Sequence, residues 1–236
     1  MICLLLCAGY ATRMYPLTEN FPKPLLEIKG KTIIDYLIDD LNDKNYISRY
    51  IIVSNHKFIN YFNDWKKTRK ENITVLDDGS TCNENRLGAV RDIQFCIDEE
   101  NINEDIIVLA GDNLLDFSLN DFIESYQNNK ENQIMYYDEI EIERLKKTGV
   151  ITLKGNQVET FEEKPKQPKS NKAVPPFYIF KKESLDMFSK GIDEGCKVDS
   201  PGMFLEWFSK NNRIVAWPMK GKRIDIGSLE EYYRCK

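Results

Sequence analysis

Within the first 112 residues, short β-prone runs and helix-periodic segments take turns four times, and that alternation restricts the chain to a small set of folds. Ile2–Leu6, Tyr50–Val53, Ile73–Leu76 and Ile106–Ala110 are short apolar-rich runs with little alternation, as strands covered on both faces require. Between the first two, Ile33, Ile34, Leu37, Ile38 and Leu41 fall on one helical face behind Thr32, a residue suited to an N-cap. Phe58, Tyr61, Phe62 and Trp65 make a second amphipathic helix, and Leu87 to Ile97 a third. Strand and helix alternating in this way predict an α/β fold with a Rossmann-like, mostly parallel sheet flanked by helices.

The second half changes character. Ile134–Tyr137, Val150–Leu153, Val158–Phe161 and Phe177–Phe180 are strand-like pieces separated by Gly, Pro and Lys clusters, which predicts a small antiparallel β addition. Gly155-Asn156 marks a hairpin turn, and Lys164–Lys172 reads as a Pro- and Lys-rich loop. Met203, Phe204, Trp207 and Phe208 share a helical face, Ile214–Trp217 is a last strand, and Ser228-Leu229-Glu230-Glu231 opens a terminal helix. No internal repeat is present, and 236 residues fit one α/β domain.

Charge and cysteine usage exclude several functions. A net charge of −5 lacks the basic footprint of a nucleic-acid binder. The cysteines, Cys3, Cys7, Cys82, Cys96, Cys196 and Cys235, form no C-x-x-C pair, and His56 is the only histidine, so a zinc site is not expected. His56 itself reads as a cap or surface residue. The apolar start lacks a basic n-region, and no run approaches the ~18 apolar residues of a membrane span. Reduced thiols and a cytoplasmic setting are the expectation.

Three places carry chemistry. The loop Cys7-Ala8-Gly9-Tyr10-Ala11-Thr12-Arg13 follows the first strand, where ligands of open α/β sheets bind. Small residues there let backbone N–H groups approach phosphate oxygens, while Arg13 and Lys23 supply positive charge. Asp112 directly follows the strand Ile106–Ala110 and Gly111, and Asp225 stands in Arg223-Ile224-Asp225-Ile226-Gly227. Mg²⁺ takes hard oxygen ligands and keeps sites for phosphate, so two carboxylates suffice. Lys164, after a strand and before Pro165, is held on a stiff turn from which its ammonium can be aimed.

Leu6-Cys7-Ala8-Gly9-Tyr10-Ala11-Thr12-Arg13-Met14-Tyr15-Pro16-Leu17-Thr18, followed by Pro22-Lys23-Pro24-Leu25-Leu26 and Gly30-Lys31, resembles the opening signature of the sugar-1-phosphate nucleotidyltransferases. Gly111-Asp112, Glu163-Lys164-Pro165 and Asp225-Ile226-Gly227-Ser228 are similar to three further segments of that family, so the resemblance spans nearly the whole chain. It implies the nucleotide-diphospho-sugar transferase fold, with a nucleotide-binding half (1–115) and a sugar-phosphate-binding half (116–236). It implies transfer of a nucleoside monophosphate from a nucleoside triphosphate to a sugar 1-phosphate, in nucleotide-sugar and polysaccharide biosynthesis, with Mg²⁺ on Asp112 and Asp225. It further implies Arg13, Lys23, Asp112 and Lys164 as catalytic residues. Cys7, Ala8, Gly9, Tyr10, Ala11, Thr12, Asn85 and Gly88 would bind the nucleotide, and Asn113, Glu163 and Lys164 the sugar phosphate. Partners would be these small molecules, with a homo-oligomer allowed by the aromatic-rich second half.

The chain departs from the family pattern at Ala8 and Ala11, which replace glycines, and at Pro176, where glycine is usual. Alanine is small enough for phosphate approach but requires a negative or tolerable φ where glycine has free choice. The stretch Asp77–Ala89 lacks the usual base-reading form, so base and sugar stay open. Two other functions share the opening loop: a CTP-dependent cytidylyltransferase acting on a phospho-alcohol such as phosphocholine, and a catalytically dead nucleotide sensor. A nucleotide-sugar glycosyltransferase would need a D-x-D segment, for which Asp112-Asn113-Leu114 is a poor substitute.

Overall fold

The computed structural model describes residues 1–236. In chain order the elements are β1 (Ile2–Leu6), β2 (Glu27–Ile28), β3 (Lys31–Thr32), α1 (Ile33–Asn42), β4 (Arg49–Ser54), α2 (Ile59–Lys66), β5 (Ile73–Asp77), α3 (Ala89–Glu99), β6 (Ile106–Ala110) and β7 (Asn113–Leu115). There follow α4 (Asn120–Asn129), β8 (Gln133–Asp138), α5 (Ile142–Leu145), β9 (Gly149–Lys154), β10 (Gln157–Glu163), β11 (Lys172–Val174) and β12 (Phe177–Phe180). The chain ends with α6 (Asp186–Asp193), α7 (Pro201–Phe208), β13 (Val215–Pro218), β14 (Arg223–Asp225) and α8 (Leu229–Cys235). These residues gather into two compact units, and neither is continuous in sequence: Met1–Leu87, Leu109–Asp121 and Gly221–Lys236 form one, Gly88–Val108 and Phe122–Lys220 the other.

In the first unit β1 and β5 flank β4 in parallel, in register from Ile2↔Arg49 to Leu6↔Val53 and from Tyr50↔Ile73 to Ser54↔Asp77. α1 buries Ile33, Ile34, Leu37, Ile38 and Leu41, the predicted stripe. Its start is fixed by a reciprocal cap, Thr32 accepting from the Asp35 N–H while the Asp35 carboxylate accepts from the Thr32 N–H. In α2, Phe62 and Trp65 are buried, whereas Tyr61, predicted on the same face, stays 42% exposed and meets Phe21 edge-on at 5.2 Å. β7 and β14 form a short antiparallel ribbon that sets Asp225 opposite Asn113 and Arg223 opposite Leu115. α8 starts where predicted, the Ser228 hydroxyl accepting from the Glu231 N–H.

The second unit holds a mixed sheet in the order β11-β9-β10-β13-β8-β12, with β13 parallel to β8 and its other pairings antiparallel. Because β11 also pairs with β8, strands β8, β11, β9, β10 and β13 close on themselves. The predicted β9–β10 hairpin turns at Gly155-Asn156, where Gly155 has φ +64°. Phe180 of β12 meets Phe188, Phe204 and Phe208 at ring distances of 5.1, 5.8 and 6.0 Å. Phe188 and Phe204 stack at 4.0 Å. Each such buried ring contributes about 1.5–3 kcal/mol through removal from water. α3 begins at Ala89 rather than Leu87, because Gly88 has φ +90° and cannot belong to the helix. No helix of the chain is long and apolar enough to cross a membrane.

Candidate active site

The loop after β1 is built to present its main chain. The Cys7 N–H donates to Val53 O at 2.9 Å, and the next backbone hydrogen bond through an N–H of this loop is Met14 to Ala11 O. The N–H groups of Ala8 to Arg13 are thus left without backbone partners, the supply an anion cradle needs. Asn55 Nδ2 holds Ala8 O at 2.9 Å, and Thr18 Oγ1 holds Ala11 O at 2.9 Å. Tyr10 is buried, its hydroxyl on Ser80 O, while Gly9, Thr12 and Arg13 are exposed. Ala11 sits at φ 48°, ψ 41°, in the left-handed region, where an alanine is tolerated only if held. An L-residue there carries about 1–2 kcal/mol of strain. The two bonds to its carbonyl hold it. Cys7 offers no side chain to a ligand: it is buried, burial pushes its thiol pKa well up, and its Sγ lies 2.5 Å from where a Cβ on Gly111 would stand.

Asp112 and Asp225 meet at the carboxyl end of this sheet. The Ile226 N–H donates to Asp112 O at 3.1 Å, which ties the segment after β14 to the segment after β6. Asp112 Oδ2 pairs with Lys23 Nζ at 2.5 Å, the two side chains 26% and 12% exposed. Asp112 Oδ1 accepts from Asn113 Nδ2 at 2.8 Å. The Asp225 carboxyl is held above the ordinary aspartate value, first by loss of hydration and then by the Asp112 charge, with Arg223 and Lys23 pulling the other way. Half of its side chain (49%) remains exposed, so water screens part of that repulsion. A Cβ on Gly227 would stand 3.8 Å from Asp225 Oδ1 and 3.9 Å from Arg13 Nη2, so Arg13 and Asp225 converge on one glycine. No group of three or more His, Cys, Asp and Glu side chains gathers into a closed cage. A pair of carboxylates with spare lone pairs, one of them raised by its neighbour's charge, suits a hard divalent cation that also takes phosphate oxygens.

In the second unit, Glu163 ends β10. Ser200 Oγ donates to its Oε1 at 2.8 Å, and Lys164 Nζ stands 3.8 Å from the same oxygen. Burial raises the Glu163 pKa, and the Ser200 bond opposes the rise. Lys164 has φ +50°, and its N–H donates to Thr148 O, so the turn before Pro165 is firmly set. Gly88 packs its open face on Val198, whose carbonyl oxygen would be 2.6 Å from a Cβ there.

Other predicted residues point elsewhere. Asn85 is exposed but uses its amide on its own loop, accepting from the Thr81 and Cys82 N–H groups. Asn113, expected to touch the sugar phosphate, is wholly buried with its amide committed to Asp112, Ala110 and Arg223. His56 forms an exposed pair with Asp77 at 2.6 Å. Sequence reasoning missed Arg223, Ser200 and Gly202. The available signals were Arg223 two residues before Asp225 on a strand, and Ser200-Pro201 as a helix start.

Known proteins resemble the chain in sequence and in fold. The chain is 30% identical over 251 residues to glucose-1-phosphate adenylyltransferase of Fervidobacterium nodosum, covering 99% of this chain and 60% of that protein. It is 26% identical over 243 residues to a UTP–glucose-1-phosphate uridylyltransferase of Haloferax volcanii, covering 98% and 93%. The chain spans 51–61% of the length of three curated relatives it matches. A crystal structure of UDP-glucose pyrophosphorylase with UDP-glucose superposes with a TM-score of 0.82 at 24% identity, over 99% of this chain and 96% of that one. The nucleotidyl transferase family model matches residues 2–236, and the chain belongs to that family.

Proposed function

We propose that the chain joins a nucleoside monophosphate, taken from a nucleoside triphosphate, to a sugar 1-phosphate and releases pyrophosphate, making a nucleoside-diphosphate sugar. The observation that carries this reading is the meeting of Asp112 and Asp225 beside Lys23, Arg13 and a loop of unpaired N–H groups. The names of the curated relatives, adenylyl and uridylyl transferases of glucose 1-phosphate, support the reaction class and differ in base.

In this reaction a phosphate oxygen of the sugar phosphate forms a bond to the α-phosphorus while the bond from that phosphorus to the β-bridging oxygen breaks. The nucleophile is already ionised, so no general base is needed, and positioning with charge compensation carries the chemistry. Mg²⁺, held by Asp112 and Asp225, would offset the charge that builds on the phosphate oxygens. The unpaired N–H groups of the loop and Arg13 bind the triphosphate tail and the departing pyrophosphate. Lys23 exchanges its Asp112 partner for the α-phosphate. Lys164 takes the phosphate of the sugar phosphate, and Glu163 accepts from sugar hydroxyls, as the resemblance of the Glu163-Lys164-Pro165 segment implies.

The test is pyrophosphate release from ATP, GTP, CTP, UTP and dTTP, each against several sugar 1-phosphates and phosphocholine, with Mg²⁺. Turnover with at least one sugar 1-phosphate is expected. Turnover with phosphocholine alone would make the chain a cytidylyltransferase for a phospho-alcohol, and nucleotide binding without pyrophosphate release would make it a sensor.

A further inference from the structure

The geometry points to Asn113 and Arg223 as positioning residues that hold the Asp112 and Asp225 carboxylates in place for one shared cation, an inference that rests on the reading just proposed. Asn113 is wholly buried, and its amide is fully used. Its Nδ2 donates to Asp112 Oδ1 at 2.8 Å and to Ala110 O at 3.2 Å, and its Oδ1 accepts from Arg223 Nη1 at 2.7 Å. The orientation of the amide is forced, since Asp112 and Ala110 offer it only acceptors and Arg223 only donors. The same guanidinium nitrogen stands 4.0 Å from Asp225 Oδ2. One continuous path therefore runs from carboxylate through amide and guanidinium to the second carboxylate.

The ribbon does not by itself set the two carboxylates. β7 and β14 are three residues each and pair only with one another, and Leu114 and Ile224 anchor them on the core around Met14, Ile33 and Ile226. Asp112 also lies just outside the ribbon, so β7 does not set the rotation of its side chain. Its two oxygens are held unequally. Oδ2 is bound by Lys23, a flexible side chain with phosphate work to do, whereas Oδ1 is bound by an amide with no free rotation. A partner of that kind fixes the plane of a ligating carboxylate, and removing one commonly lowers metal affinity or turnover about 10- to 100-fold.

The test compares the intact chain with Asn113→Ala, Arg223→Gln, Arg223→Lys and Asp225→Asn. Free Mn²⁺ is measured by electron paramagnetic resonance, with the α,β-methylene analogue of the triphosphate that the substrate matrix identifies. Asn113→Ala and Arg223→Gln are expected to weaken Mn²⁺ binding about 10-fold and lower kcat about 10- to 100-fold, with the KM for the sugar phosphate within twofold. Arg223→Lys restores charge but not the planar fork, and should recover only part. If Asp225→Asn weakens Mn²⁺ binding while Asn113→Ala and Arg223→Gln do not, the positioning role is wrong and the cation reading stands. If Asp225→Asn leaves Mn²⁺ binding unchanged, the cation reading itself fails. Should Asn113→Ala not fold, Arg223→Gln, altered at the ribbon's edge, decides alone.

Discussion

Gly202→Ala should separate stability from catalysis. Gly202 lies in the first turn of α7, behind Ser200 and Pro201, and a Cβ there would stand 2.0 Å from Glu163 Oε2 and 2.6 Å from Glu163 Cδ. Glu163 can yield because it is the far end of a flexible side chain, but its carboxylate must retreat by about 1 Å and strain the 2.8 Å bond from Ser200. The helix gains from the change, since alanine is a better helix former than glycine by up to about 1 kcal/mol. A misplacement of about 1 Å at a substrate-binding group can lower kcat/KM about 100-fold, or about 2.7 kcal/mol of barrier. Pyrophosphate release with the sugar phosphate varied, and then with the triphosphate varied, gives the two specificity constants, and urea unfolding gives stability. The expected result is a large loss in kcat/KM for the sugar phosphate with unfolding free energy unchanged or raised. A kcat/KM within twofold of the parent chain would show that Glu163 is not aimed at the sugar by this contact.

Arg69 joins Asp35, Asp39 and Glu71 at 3.0, 2.6 and 2.7 Å and is only 14% exposed, so Arg69→Met should cost about 3 kcal/mol in urea unfolding by stranding those carboxylates. The same network should weaken in acid. Burial alone would raise the pKa values of Asp39 and Glu71, but their bonds to Arg69, and that of Asp39 to Lys31, leave both below the ordinary carboxylate range. Folded-state values below the unfolded ones mean a contribution present above about pH 4.5 and lost as pH falls through the folded values, so the acid transition of Arg69→Met should be shallower than that of the parent chain. Gly111→Ala drives a methyl to 2.5 Å from Cys7 Sγ and should cost about 1–3 kcal/mol, which Cys7→Ala in the same chain should largely restore. Asp112→Asn should lower kcat by a few kcal/mol of barrier, and near-normal turnover at saturating Mg²⁺ would refute the role proposed for it.

The fold was legible where burial leaves a periodic record. Ile2–Leu6 and Ile106–Ala110 are strands with the predicted bounds, and the stripe of α1 is buried throughout because a two-sided sheet demands continuous apolar faces. α4 and α6 were passed over because Asn120–Asn129 and Asp186–Asp193 are mostly polar, their apolar positions too few to outweigh the surrounding charge. β11 hid in a Lys- and Pro-rich stretch, since a strand of three residues has no period to detect. In the candidate site, side chains next to recognisable motifs were legible, and their supports were not. Asn113 looked like a ligand contact because an amide beside an aspartate can serve either purpose, and only the position of Arg223 decides which. The left-handed backbone of Ala11 was not legible, because it depends on Thr18 and Met14 holding its carbonyl, a cause absent from local propensity.

The stitching of one compact unit from Met1–Leu87, Leu109–Asp121 and Gly221–Lys236 has a consequence for the newborn chain. Synthesis runs from the N-terminus, so the loop after β1 and Asp112 leave the ribosome long before Asp225. Until Gly221–Lys236 arrives, β7 has no β14 to pair with, and Tyr232 cannot close on Glu27. On the proposed reading, a nascent chain that already holds its parallel strands but lacks Gly221–Lys236 has only one of the two carboxylates assigned to the cation.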